Sequence, residues 1–157
     1  MAQIISTRKI ALAPAKVFDT ARQVTRFPAV LPNLDKVEII EDQGNGVVVS
    51  IWEASFTVGP LSKTVKWKEV DTWNTDDLTC TFELVEGDMK VYRGTWDFKP
   101  DGEGCHVELN VDFELGITML GPMIDRIVNQ LMQQNCDDLL MALDKLAVDP
   151  ESPQPAE

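Results

Sequence analysis

The rhythm of turns between Lys36 and Leu115 constrains this chain more than any other feature. Residues typical of strands fill Lys36–Glu41, Val47–Val58, Ser62–Val70, Leu78–Val85, Met89–Phe98 and Val107–Leu115. The intervals are short and rich in turn formers: Asp42 to Gly46, Gly59-Pro60, a polar stretch from Asp71 to Asp77 around Trp73, Glu86 to Asp88, and Lys99 to Gly104. A parallel pair needs a crossover of roughly a dozen residues or more, so strands joined this closely must run antiparallel. Ile4–Leu12 reads as a further strand at the start, with Ile4, Ile10 and Leu12 in phase. In the second strand Val37 and Ile39 alternate with polar neighbours. The last strand alternates cleanly, with Val107, Leu109, Val111, Phe113 and Leu115 against His106, Glu108, Asn110, Asp112 and Glu114. The expected sheet therefore has seven strands, one apolar face and one wet face.

Something must cover the apolar face, and the stretch from Leu120 to Ala147 is the candidate. Its apolar residues recur at near-helical spacing, from Met123/Ile124 through Ile127/Val128 and Leu131/Met132 to Leu139/Leu140, Leu143 and Leu146. Pro122 sits where a helix start tolerates it, after Gly121. At ~1.5 Å per residue this helix would be roughly 40 Å long. Two short helices are expected between the first and second strands, one opening at Pro14 with Val17, Phe18 and Ala21, the other carrying Phe27, Val30, Leu31 and Leu34. The fold class is α+β, with the helices on one side of the sheet. Residues 1–148 form one domain, and the acidic, proline-rich tail 149–157 is expected to be disordered.

Charge narrows the partners. The formal net charge of −12 opposes a nucleic-acid partner, because phosphate binding needs clustered Lys and Arg. Met1 to Leu34 is nonetheless basic, with Arg8, Lys9, Lys16, Arg22 and Arg26 against the single acid Asp19. This region allows at most peripheral contact with an anionic membrane surface, or simply an uneven solvated surface. No run approaches the roughly 20 apolar residues of a membrane span, and the N-terminus lacks a signal-peptide pattern. Cys80, Cys105 and Cys136 are far apart and odd in number. We expect reduced thiols, a cytoplasmic location and no metal or cofactor. Oligomeric state is not legible in the chain.

The order of elements is strand, two short helices, six strands and a long terminal helix. With Ile10 to Phe18, Phe27-Pro28 to Leu31-Pro32, and Gly87 followed by Tyr92, Gly94 and Trp96, it resembles the START-like superfamily (helix-grip, SRPBCC). Within it the chain is most similar to the polyketide cyclase/dehydrase and lipid-transport group, which includes coenzyme Q-binding proteins. The resemblance implies a helix-grip fold, in which a curved antiparallel sheet wraps around the terminal helix and leaves an elongated apolar cavity. It implies binding or transport of a lipid, isoprenoid quinone or polyketide-like molecule. The alternatives within the group are a polyketide cyclase/dehydrase-type lyase using the same cavity, or a protein-interaction module with an incidental cavity, since some relatives contact ribosomes.

The residues themselves supply candidates for such a cavity. Trp52, Phe56, Trp67, Phe82, Tyr92, Trp96 and Phe113 are expected to face the helix, with Met123, Ile127 and Leu131 opposite. Each is equally an ordinary core residue; together they suit an adaptable apolar pocket. Gly94, between Tyr92 and Trp96, marks either a void or a bend. The apolar stripe drifts around the helix, so its first half is expected over the cavity and Leu139, Leu140 and Leu143 in a sealing core. Catalytic signals are thin: His106 is the single histidine, on the polar face, and nucleophile or zinc patterns are absent. Glu53, Glu69 and Arg93 are polar residues that would matter if they pointed inward; Glu53 and Arg93 are the catalytic candidates, and surface ion pairs the plainer expectation for all three. The reading leans towards a binding protein without catalysis.

Overall fold

A computed structural model of the chain describes residues 2–58, 61–115 and 121–148, apart from the side chains of Val58, Leu61 and residues 121–125. The strands are β1 (Ala2–Ile10), β2 (Leu34–Asp42), β3 (Val47–Val58), β4 (Leu61–Asn74), β5 (Thr79–Gly87), β6 (Met89–Asp101) and β7 (Gly104–Leu115). Helix α1 (Pro14–Ala21) and a 3-10 helix (Val24–Ala29) follow β1, and helix α2 (Gly121–Val148) ends the described chain. The seven strands form one antiparallel sheet in the order β1-β7-β6-β5-β4-β3-β2, so the first strand pairs with the last. This is the helix-grip architecture, a curved sheet around a long C-terminal helix. The tail 149–157, the Gly59-Pro60 turn and Leu120 lie outside the described residues.

Local sequence explains most boundaries. Pro14 opens α1 because a first-turn residue needs no N–H partner, and Val17, Phe18 and Ala21 are buried on one face. The 3-10 helix holds Pro28, whose fixed φ and missing N–H favour a short tight turn over a regular α-helix. On β7, Cys105, Val107, Leu109, Val111 and Phe113 point inward, as strand alternation demands. Phe18 anchors the other layer, its ring edge-to-face with Trp73 and Phe98 at 5.5 Å each.

Two strands depart from expectation. β4 does not end at Val70 but continues to Asn74, and the turn occupies residues 75–78. Its cause is β3, whose first residues Val47 to Ser50 find partners only if β4 runs on through Glu69 to Thr72. Backbone pairing therefore overrides the turn preference of Asp71, and alternation carries Asp71 and Trp73 to the inner face. On β2, alternation predicts Ile39 on Val37's face, yet Ile39 is 40% exposed. Irregular register between Ile39 and Glu41 on this edge strand breaks the alternation.

Helix α2 packs chiefly on β1 and α1. Its C-terminal half supplies Leu140, Leu143 and Leu146, all at most 1% exposed. Polar ties hold it to β1: Ser6 donates to Asp137, Arg8 Nε pairs with Asp144 at 2.8 Å, and Gln133 donates to the Ile5 carbonyl at 3.2 Å. Cys80, Cys105 and Cys136 are buried and free. Burial pushes the Cys105 thiol up to about 11 and the Cys136 thiol to about 12, so neither is a ready nucleophile at neutral pH.

Leu143→Ala is expected to cost about 2–5 kcal/mol in urea denaturation, because it empties a closed part of the core. Met141→Ala, from the exposed side of the same helix, is expected to stay within about 0.5 kcal/mol.

Candidate functional site

Where α2 stands off the middle strands, the sheet and helix do not close. A cavity of about 140 Å³ lies between them. Trp52, Ala54 and Phe56 of β3, Val65 and Trp67 of β4, Met89 and Tyr92 of β6, and Leu115 of β7 form its sheet wall. Val128, Leu131, Met132, Asn135, Cys136 and Leu139 form the helix wall, and Leu31 to Leu34 a third side. Asn33, Asn135 and Asp138 are the polar residues among them; Asp138 accepts from Gln134 at 2.8 Å. Most of the wall is apolar, which suits a site that holds a molecule by removing it from water.

The aromatic wall is built by strand register. Trp52 and Trp67 are cross-strand partners, and their rings stack at 5.8 Å with an interplanar angle of 10°. Tyr92 lies 5.4 Å from Trp67, and Phe82 5.2 Å from Tyr92, which extends the row across four strands. Gly94 is part of this construction. A Cβ there would lie 2.7 Å from the Phe82 ring and 2.0 Å from the Asn110 carbonyl oxygen. The gap at Gly94 is therefore neither an empty void nor a simple bend; the ring of Phe82, its cross-strand partner, occupies it.

The residues expected at the cavity divide. Trp52, Phe56, Trp67, Tyr92 and Leu131 line it. Phe82 and Trp96 line a second, smaller cavity of about 30 Å³, which shares Trp52, Tyr92 and Leu139 with the first. Phe113 is 3% exposed and lines neither; it is core. Ile127 also lines neither, since it sits about 100° round the helix from its neighbour Val128, which does. Met123 lies outside the described side chains. Leu139, expected only to seal the core, lines both cavities. The drifting stripe did not show which arc of the helix meets the sheet; that arc includes Val128, Leu131, Met132, Asn135 and Leu139.

Neither catalytic candidate lines a cavity. Glu53 pairs with Lys66 at 3.3 Å, and Arg93 with Asp112 at 3.8 Å, on the opposite side of their strands from Trp52 and Tyr92. His106 is half-buried beside Lys9 and Lys99 in register, on the face of β7 opposite the core residues. No group of three metal-ligating side chains is present among the described residues.

Glu69 is the correction that matters. Expected in a surface ion pair, it is only 5% exposed, and Asp71, two residues on along the same face, only 3%. Both line the smaller cavity. Trp67 Nε1 donates to Glu69 at 2.7 Å; Ser50, itself buried, donates to Asp71 at 3.1 Å and accepts from Trp52 Nε1 at 2.8 Å. Burial raises the Glu69 carboxyl well above its ordinary range, and a hydrogen bond to Asp71 with the repulsion of that neighbour raises it further. Burial also raises Asp71, while hydrogen bonds from Glu69 and Ser50 oppose the rise. Of the two, Glu69 is raised the more strongly, so it holds a proton the more tightly. The signal was in the chain: Val65 and Trp67 set a phase that, continued by two, reaches Glu69, Asp71 and Trp73.

Compared with known proteins, residues 10–140 match the family described as polyketide cyclase / dehydrase and lipid transport. The ribosome association toxin RatA of Vibrio cholerae is 28% identical over 134 residues, 83% of this chain and 88% of that protein. The crystal structure of TTHA0849 from Thermus thermophilus superposes with a TM-score of 0.88 at 30% identity, covering 96% of this chain and all of that one. The Zhui aromatase/cyclase from a Streptomyces species superposes with a TM-score of 0.80 at 18% identity over 93% of each chain, a likeness of fold.

The acid pair makes stability depend on pH with a definite sign. With folded-state values above the ordinary ~4 of unfolded carboxyls, the native state holds more protons, so its contribution falls as pH rises through the raised values. Glu69→Gln, which keeps a donor towards Asp71, is expected to melt at a higher temperature than the parent above neutral pH, with the difference shrinking towards pH 4. A difference that grows on acidification would contradict this assignment.

Proposed function

The chain belongs to the polyketide cyclase/dehydrase and lipid-transport family, and from that premise we propose that it binds an apolar or amphipathic small molecule between its sheet and α2. The observation that carries this reading is the cavity itself, walled by Trp52, Trp67, Tyr92, Leu131 and Met132. A packed core of this size has no use for such a gap, because every unfilled contact weakens the fold. Its volume of about 140 Å³ is close to the roughly 150 Å³ that encloses one benzene ring. A larger molecule would seat one ring or chain segment inside and extend past Asn33, Asn135 and Asp138. Affinity would come from burying apolar surface, at about 25 cal/mol per Å².

A second reading, catalysis of the cyclase or dehydrase kind, draws on Glu69. A carboxyl whose hold on its proton is strengthened by burial is suited to act as a general acid. Glu53 and Arg93, turned outward and paired, give that reading no help. Ribosome association, the activity in RatA's name, is opposed by the −12 charge, which repels phosphate.

Native mass spectrometry and solvent extraction of protein from its own host are expected to reveal a bound apolar molecule. Met132→Trp, which fills the helix side of the cavity, is expected to abolish that adduct with little loss of melting temperature. Protein that is always empty, and whose melting temperature no lipid, quinone or aromatic compound raises, would end this reading.

A further inference from the structure

We propose that the small space beside the main cavity, lined by Tyr92, Glu69 and Asp71, is a subsite for a hydroxyl group on an aromatic ring, so that the ligand presents a phenol-type head. This rests on the small-molecule reading above and deepens it.

The chamber's polar end is compact. Glu69, Asp71 and Tyr92 line the same space of about 30 Å³, room enough for a water-sized group. Trp52, Tyr92 and Leu139 also line the larger cavity, so the two spaces are neighbours with these side chains between them. A group the size of a hydroxyl fits the smaller space, and on this proposal the ring that bears it lies beside the stacked Trp52 and Trp67.

The hydrogen-bonding inventory selects among heads. The Tyr92 hydroxyl has no partner among the described residues, although its ring is held between Trp67 and Phe82. It offers a donor. The carboxyl pair takes one bond from Trp67 and one from Ser50, and its two members bond each other. An ionised carboxylate has about four lone-pair positions, so acceptor capacity remains. One donor beside spare acceptors is the complement of a hydroxyl, which accepts from Tyr92 and donates to the acid pair. A carbonyl only accepts, and leaves the pair unanswered. An ammonium only donates, leaves Tyr92 unanswered, and must itself be stripped of water.

The test uses the full chain and four probes of one size in titration calorimetry: 4-ethylphenol, 4-ethyltoluene, 4-ethylbenzaldehyde and 4-ethylbenzylamine. The phenol is expected to bind at least about tenfold more tightly than the toluene, the worth of one charge-assisted hydrogen bond. Tyr92→Phe and Glu69→Gln are each expected to bring the phenol-to-toluene affinity ratio towards one, with circular dichroism and a cooperative melt establishing that each variant folds. Equal binding of phenol and toluene would remove the subsite and leave the small-molecule reading standing. Preference for the aldehyde or the amine, or a phenol preference that survives in both variants, would also overturn it. Failure of all four probes to bind would count against the subsite and the cavity's proposed role together.

Discussion

Burial of Leu140, Leu143 and Leu146 against the layer formed by β1 and α1 holds α2 by one end. Asp137 and Asp144 add polar ties to Ser6 and Arg8 on the same strand. Further towards its N-terminal end, Val128, Leu131 and Met132 face a cavity instead of a closed core. The cavity follows from this one-sided attachment. Had α2 packed evenly along its length, Val128, Leu131 and Met132 would have closed on Trp52 and Trp67. The apolar stripe turns around the helix axis because its two halves answer to different surfaces, a closed core at one end and a hollow at the other.

The same one-sidedness decides how residues divide between stability and function. Fully enclosed side chains such as Phe18, Phe98, Leu109 and Leu143 form an ordinary close-packed interior. The cavity wall is half-buried: Trp67, Tyr92 and Met132 keep surface turned to the hollow. Such residues give less to the fold than their size suggests, and what they withhold is available to a guest. Gly94 shows the opposite arrangement, since the absence of its side chain lets the Phe82 ring lie against the sheet and keeps the aromatic row unbroken.

Much of this was legible in the chain. Turn spacing implied an antiparallel sheet, β7 showed its inner face by strict alternation, and β3 begins and ends where its composition does. Periodicity placed α2 nearly to its ends. The failures share a cause. Asp71 looked like a turn because an acid beside Asn74 and Asp76 prefers one, yet β3 needed a partner strand there and pairing prevailed. Ile127 lies off the cavity wall and Leu139 on it, because periodicity reveals a stripe without saying which arc of it faces a hollow. Glu69 was read by its charge instead of its phase, and phase decides what a strand buries.

That last error bears on what the site can do. Two buried carboxyls two residues apart on the inner face of one strand repel each other when both are ionised, and burial together with that repulsion raises Glu69. Trp67 and Ser50 satisfy part of the pair's hydrogen-bonding capacity. Apolar residues would sit there at less cost, since a buried ionic group that only stabilises is replaceable by hydrophobes of similar volume. The pair's position explains its presence better than stability does: it lines a small space beside the apolar cavity together with Tyr92, whose hydroxyl has no partner among the described residues. On the proposed small-molecule reading, a site that only dissolved its ligand would need none of these groups. One that holds its ligand in a single orientation needs polar groups beside the apolar wall, because a hydrogen bond out of water discriminates more than one in water.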